Sequence, residues 1–427
     1  MMKKTPIYHE QVQPLPDYPR LCGEQRFDVC VVGGGFTGLS AALELAKAGF
    51  RTALLEAAQL GSGASGRNGG QVLTGLAPGI VWAARRLGHA HAQMLWDLSV
   101  EAVATLRRGL AEADIADAFR PGFILAANRA AHRAELVEEY NYLTDRLGYE
   151  ALELLLQPEQ VAARLGTRRY VAGLVDHGSG HVNPLAYLNG LARAAEKAGV
   201  TVFEQSAACR LVHQPGGEKV NVYTDRGVVR ADRLLLCGNA YQRHLATPMQ
   251  AMIMPVGTYI LATAPLPEAL AAEILPSGVC VSDMNFVLDY FRMTPDRRML
   301  FGGRVSYSGL PPVAVAHRLK RRMCAIFPAL EGVPLTHCWG GKVAITRNRL
   351  PHIGRTPQGV YFAHGYSGHG LALSGFAGQV IAKAIAGDLT QFDCFARIDH
   401  RPFPGGGMMR APLLALGALY YRLRDLL

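Results

Sequence analysis

Three clusters of small residues carry the chemistry legible in this chain, and the first is the most specific. Gly33-Gly34-Gly35-Phe36-Thr37-Gly38 is a GxGxxG run. It stands between a short apolar, β-rich segment (27–32) and a helical pattern (36–48) that stops at Gly49. In that context each glycine has a task. Gly33 permits a tight turn, Gly35 lets a pyrophosphate approach the backbone, and Gly38 lets helix and strand pack closely. The helix start at Phe36 and Thr37 then offers N–H groups and a positive dipole end to phosphate. Glu56 closes the next strand pattern (51–55), where a carboxylate accepts hydrogen bonds from ribose hydroxyls and repels a 2′-phosphate. Glycine clusters often mark turns and nothing more. Strand, helix and acidic residue together select a dinucleotide site.

The second cluster, GSGASGRNGGQ (61–71), follows directly. Ala64, Ser65, Asn68, Gly69 and Gly70 would let the chain run closely along a ligand, and Arg67 could neutralise a pyrophosphate or a reduced ring; a flexible surface loop has the same composition. The third cluster is Gly365-Tyr366-Ser367-Gly368-His369-Gly370, between a strand pattern (360–363) and a helical run starting at Leu371. A helix start aimed at the edge of a redox ring would stabilise its negative charge. His369, Tyr366 and His364 are the candidates for acid–base work, although a lone histidine in such a place is more often structural. No second GxGxxG occurs between strand and helix. A single N-terminal unit favours a resident flavin, FAD, over a nicotinamide-linked reductase.

The elements that must hold these clusters read as an α/β chain. The first 25 residues, with Pro6, Pro14, Pro16 and Pro19, suggest an extended arm. Residues 26–85, 150–245 and 335–395 are expected to form a discontinuous Rossmann-type FAD-binding domain. Residues 86–149 and 246–334 would form an interleaved substrate domain on a mixed or antiparallel β-sheet, since 252–303 alternate with period two. The segment 396–427 reads as an amphipathic tail, suited to a membrane surface or to packing on the protein's own core.

The chain has 427 residues and a formal net charge of +10, from 44 basic and 34 acidic residues. That length suits two domains. The positive residues are scattered, and no zinc-finger spacing or aromatic RNA-binding motif accompanies them, so nucleic acid is not an expected partner. Eight cysteines without a CxxC pair point to buried thiols in a reducing compartment, with neither disulfides nor a metal site. No apolar stretch reaches the roughly 18 residues of a membrane span, and the N-terminus lacks the apolar core of a signal peptide. A cytoplasmic protein is expected.

The chain resembles the D-amino acid oxidase-type FAD oxidoreductases, a group that includes glycine and sarcosine oxidases. Within it, several stretches are similar to the bacterial γ-glutamylputrescine oxidases: DVCVVGGGFTGLSAALELAKAGF, GASGRNGGQ, MPVGTYILAT, WGGKVAITRNRLPHIGR, GYSGHGLALSGFAGQ and RAPLLALGALYYRLRDLL. The resemblance implies flavin contacts at Gly33, Gly35, Gly38, Glu56, Arg67, Asn68, Gly368 and His369, with Gly365, Gly370 and Leu371 beside them, and an adenine side near Ala208 and Cys209.

Two departures bear on cofactor and substrate. Monomeric sarcosine oxidases tether their flavin to a cysteine that corresponds to Val343 here, while Cys338 lies five residues away; non-covalent FAD is expected. Those enzymes also hold the amino-acid carboxylate with an arginine that falls at Gly70. A longer amine is therefore favoured over a small α-amino acid, with oxygen or another electron acceptor completing the reaction. Such chemistry needs the neutral amine, whose value near ~10.4 in water a desolvated aromatic pocket would lower. Tyr259, Phe286, Tyr290, Trp339 and Tyr366 are candidate pocket aromatics, with core roles as the alternative. Arg292, Arg304 or Arg349 could pair with a glutamyl carboxylate. The alternative reading is a dehydrogenase or oxidase of a D-amino or N-methyl amino acid that passes electrons to a quinone or an electron-transfer protein.

Overall fold

The computed structural model describes residues 2–404 except 116–117, 215–218, 243–244, 246, 286 and 307–311. The candidate Phe286, the side chain of Arg304 and the tail from 405 onward lie outside the described residues. The strands, numbered along the chain, are β1 (Gly23–Val32), β2 (Thr52–Leu55), β3 (Gln71–Val72), β4 (Arg120–Ala127), β5 (Leu152–Leu155), β6 (Ala172–His181), β7 (Thr201–Phe203), β8 (Arg210–His213), β9 (Val220–Tyr223), β10 (Gly227–Leu236), β11 (Met254–Thr263), β12 (Cys280–Asp283), β13 (Tyr290–Met293), β14 (Met299–Ser306), β15 (Leu335–Ile345), β16 (His352–Arg355) and β17 (Tyr361–His364). They form two sheets.

The first sheet has the order β16-β17-β10-β1-β2-β7, with β8 and β9 extending one end of β10. Strands β17, β10, β1, β2 and β7 run parallel. Residues Val29, Cys30, Val31 and Val32 and all of β2 are buried, as expected of strands covered on both faces. Helices Phe36–Lys47, Pro184–Lys197 and Leu371–Ile385 pack on one side. A Cβ on Gly378 would lie 2.3 Å from the Thr37 carbonyl oxygen, so two of these helices meet at backbone distance. Strand order reverses around β1 and β10, and the crevice beyond their carboxyl ends is where such sheets bind ligands.

The second sheet has the order β15-β11-β14-β13-β12-β4-β6-β3, with β5 on the far side of β6. Its pairings are antiparallel except β12 with β4. Period two divides its faces. Ile124, Val175, Tyr259, Val281, Phe291, Phe301 and Cys338 enter a core shared with Val315, Leu319 and Met323 of helix Pro312–Ile326. Their neighbours Leu125, Leu174, Asp176, Thr258, Ser282 and Tyr290 face a large cavity.

Sheet membership differs from the expected division of the chain. Strands β5, β6 and β15 fall within 150–245 and 335–395, yet they belong to the second sheet. The chain passes between sheets inside what reads locally as a continuous α/β run. The arm is also more than a strap. Ile7 and Tyr8 are buried, in a short turn Ile7–Glu10, and the Tyr8 ring stands edge-on to Trp339 with centroids 5.6 Å apart.

Candidate active site

A cavity of about 1720 Å³ runs from the crevice of the first sheet across the second. Ordinary small-ligand pockets are roughly 300–1,000 Å³, so this one has room for a dinucleotide and a second ligand. At its nucleotide end the GxGxxG turn behaves as its spacing predicts. Gly33 has φ +115°, and a Cβ there would lie 2.9 Å from the Cys237 carbonyl. A Cβ on Gly38 would lie 1.9 Å from the Gly33 oxygen. Glu56 accepts the Gly34 amide at 2.8 Å and the Ala58 amide at 2.9 Å, which fixes its carboxylate at the cavity wall beside the turn. Ala207 and Ala208 line the same end, whereas the Cys209 thiol turns to the Tyr223 carbonyl, 3.3 Å away. Ser65 accepts the Phe36 amide at 3.0 Å, tying the second glycine cluster to the helix start.

That second cluster is pinned by its carbonyls. The Trp339 indole donates to Arg67 O at 3.0 Å, the Tyr8 hydroxyl to Asn68 O at 2.7 Å, and Arg292 Nε to Gly69 O at 2.6 Å. The Val182 amide donates to Gly70 O at 2.8 Å. Four successive carbonyls thus face protein. Asn68 closes the turn from within, accepting the Gly70 amide at 2.9 Å and donating to Ser65 O at 2.8 Å. Arg67 donates to Ser62 O at 2.7 Å and Gly340 O at 3.3 Å. Gly70 has φ +80°, and a Cβ on it would lie 2.2 Å from Val182 O and 2.8 Å from the Arg292 guanidinium.

The third cluster closes over the same space. The Gly365 amide donates to Asn239 Oδ1 at 3.0 Å, and the Tyr366 hydroxyl shares a 2.8 Å hydrogen bond with Thr37 Oγ1. Burial pushes the Tyr366 phenol far above its ordinary value. His369 Nε2 lies 2.8 Å from the Thr74 carbonyl and donates to it; burial holds this imidazole below its ordinary value, hence neutral. Thr74 is itself anchored, its hydroxyl donating to Asp176 at 2.7 Å and its amide to Ser179 at 2.9 Å. Tyr149 donates to the other Asp176 oxygen at 2.7 Å. Sequence patterns did not single out Thr74, Asp176, Ser179 or Asn239. The one signal for Asn239 was its place at the end of a buried strand, where a third turn of the crevice belongs.

Among the sequence candidates, Tyr290, Arg349 and Tyr366 line the cavity, as do Ala64, Ser65, Asn68, Gly69, Gly368, His369, Gly370 and Leu371. Gly33, Gly35, Phe36, Thr37 and Glu56 line it at the glycine turn, whereas Tyr259, Trp339, Arg292 and His364 do not. Tyr259 and Trp339 are core residues. Arg292 is 3% exposed and bound to the carbonyls of Gly69 and Val182, under the glycine loop. His364 hydrogen-bonds His352 at 2.9 Å with its ring tilted against it, and His352 stacks on His400 with centroids 4.2 Å apart. Burial pushes these three imidazoles down, to about 3, about 2 and about 4 respectively.

The cradle fits FAD on three independent grounds. The turn excludes any side chain at Gly33 and Gly38, Glu56 stands where a ribose would lie, and a second helix start, at Leu371, meets the first across Thr37 and Tyr366. Fold and site together define a flavin-dependent oxidoreductase. The chain matches the family described as DAO, FAD dependent oxidoreductase, over residues 28–384, and belongs to it. It is 39% identical to the gamma-glutamylputrescine oxidoreductase of Escherichia coli K12 over 93% of this chain and 92% of that protein. It is 36% identical to a probable oxidoreductase, OrdL, of Haemophilus influenzae, over 96% and 94%. In fold it is similar to the glycine oxidase structure from Geobacillus kaustophilus, with TM-score 0.71 and 21% identity, covering 88% of this chain and 99% of that one. Among the described residues no helix is long and apolar enough to cross a membrane.

Proposed function

We propose that the protein oxidises the primary amine of γ-glutamylputrescine or a closely related γ-glutamyl amine, giving the aldehyde, ammonia and hydrogen peroxide, with oxygen as acceptor and FAD held non-covalently. The observation that carries this reading is the length of the cavity. Beyond Tyr290 on β13 it continues over Ser282 on β12 and Leu125 on β4 to Leu174 and Asp176 on β6. Those are three inter-strand steps, about 14 Å. A small amino acid would leave most of that floor uncovered. The crowding at Gly70 agrees, because the position where sarcosine oxidases carry a carboxylate-binding arginine has no space for one. Similarity to the E. coli enzyme supports the same substrate class.

FAD bound in the cradle would accept a hydride equivalent from the carbon that bears the nitrogen, and the imine is then hydrolysed. The protein's part is to hold and dry that carbon. Tyr290 and Tyr366 wall the near end of the cavity, and Leu125, Leu174 and Ser282 floor its extension. Desolvation there favours the neutral amine, and placement supplies more of the rate than an acid–base side chain. His369 and Tyr366 are committed to the Thr74 carbonyl and to Thr37, which leaves them positioning roles. Val343 lines the cavity, while Cys338 packs into the core behind the sheet, which supports an untethered cofactor. A cytoplasmic setting suits the reaction.

The test is a product assay on purified yellow protein in air. γ-Glutamylputrescine should give ammonia and peroxide in equal amounts, and acid precipitation should leave the flavin in the supernatant. Turnover of sarcosine or glycine with no turnover of γ-glutamylputrescine would overturn the proposal.

A further inference from the structure

Thr74 is tied down at every polar atom. Its amide donates to Ser179 Oγ at 2.9 Å, its hydroxyl to Asp176 Oδ2 at 2.7 Å, and its carbonyl accepts from His369 Nε2 at 2.8 Å. Thr74 follows β3, while Asp176 and Ser179 belong to β6, the strand paired with β3. The sheet therefore holds the loop that meets the third glycine cluster.

Asp176 is the hub of this arrangement. It is 7% exposed and takes two donors on each oxygen. Tyr149 OH at 2.7 Å and the Gly178 amide at 2.9 Å reach Oδ1, and the hydroxyls of Thr74 and Ser179 reach Oδ2. Tyr149 is braced in turn, edge-on to Trp96 with centroids 5.0 Å apart. The four lone-pair positions of the carboxylate are filled, so Asp176 acts through the residues it holds.

The consequence falls on His369. A carbonyl oxygen only accepts, so the nitrogen facing Thr74 carries the ring's proton. Burial outweighs the Thr74 bond and the Asp176 charge and keeps the ring neutral. The second nitrogen of a neutral imidazole is then an acceptor. Nδ1 has no hydrogen-bond partner among the described residues, and His369 lines the cavity.

We propose that Asp176 is a positioning residue for amine oxidation: through Thr74 it fixes the Nε2-protonated tautomer of His369, whose Nδ1 accepts an N–H of the bound amine. The tautomer matters because of the electron flow. As the hydride equivalent leaves the carbon for the flavin, the nitrogen lone pair forms the C=N bond. An acceptor on the wall takes an N–H and leaves that lone pair free. The opposite tautomer would present a donor and tie the lone pair up. No proton moves to His369 in this step; the bond orients the neutral amine. The inference rests on the amine-oxidation reading above and holds for whichever amine is the substrate.

Two readouts on holoenzyme of verified flavin content test it. With isotope-labelled histidine, proton–nitrogen correlation spectra should show His369 protonated at Nε2 alone, its signals identified by their loss in His369→Gln. Asp176→Asn and Thr74→Val should each give mixed tautomers. Both variants should also slow anaerobic flavin reduction by γ-glutamylputrescine about tenfold or more, with the apparent Kd changed by less than about threefold. Thr74→Ser, which keeps the hydroxyl, should recover most of the loss in both readouts. In a His369→Gln background, Asp176→Asn should add less than about twofold. An unchanged tautomer in Thr74→Val, or losses that multiply in the double variant, would overturn the inference. Should Asp176→Asn fail to fold, Thr74→Val and Thr74→Ser carry the test. If γ-glutamylputrescine leaves the flavin yellow while another amine bleaches it, the substrate reading fails; the tautomer spectra, recorded without any amine, still decide the role of Asp176.

Discussion

Tyr366 and His369 line the cavity, and in the sequence both invite a catalytic role. Their partners decide otherwise. The Tyr366 hydroxyl is held by Thr37 and its phenol is pushed far up by burial; the His369 ring is neutral and donates to Thr74 O. Tyr366→Phe should therefore keep kcat within about tenfold of wild type with an unchanged pH profile, since a true acid–base residue contributes 10²–10⁴-fold; a steady-state pH–rate series checks this. Gly38→Ala should be severe, because the new methyl meets the Gly33 carbonyl at 1.9 Å. We expect a protein purified without yellow colour, read as the ratio of flavin to protein absorbance. Gly33, Gly35, Gly38 and Glu56 were legible because spacing alone encodes a backbone turn. Tyr259, Trp339 and Arg292 were not, because period two says that neighbours in a strand face opposite ways but not which way is the core.

At the scale of elements, the loop 67–70 is held by four carbonyl contacts from four distant parts of the chain. Tyr8 in the arm was invisible to sequence reading, since only the fold brings it to Asn68. Gly70→Arg should cost about 3 kcal/mol or more through collision and strain at positive φ. Thermal melts should show the loss, and sarcosine turnover should stay absent; a stable variant that oxidises sarcosine would contradict the account. The cluster of His352, His364 and His400 makes a second element-scale prediction. All three are depressed in the folded state, while unfolded histidine titrates near ~6.5. As pH falls below about 6.5 the unfolded chain takes up protons that the folded one refuses. Stability should then drop toward about pH 4, by up to about 1.4 kcal/mol per pH unit for each histidine. His364→Gln should flatten that slope in melting temperatures measured from pH 7 to 4.5, and an unchanged slope would remove the cluster from the explanation.

The whole molecule places a nucleotide sheet and a nine-stranded mixed sheet on either side of one long cavity. The class of fold was legible, because strand, glycine turn and helix recur at both ends of the chain. The division of strands was not, because β5, β6 and β15 look locally like parts of an α/β unit and only pairing assigns them. Anaerobic titration of the yellow protein decides whether a γ-glutamyl amine gives up its electrons here. γ-Glutamylputrescine should bleach the flavin stoichiometrically, and admitted oxygen should restore the colour. A flavin that stays yellow with γ-glutamylputrescine but bleaches with sarcosine, glycine or a D-amino acid would contradict it.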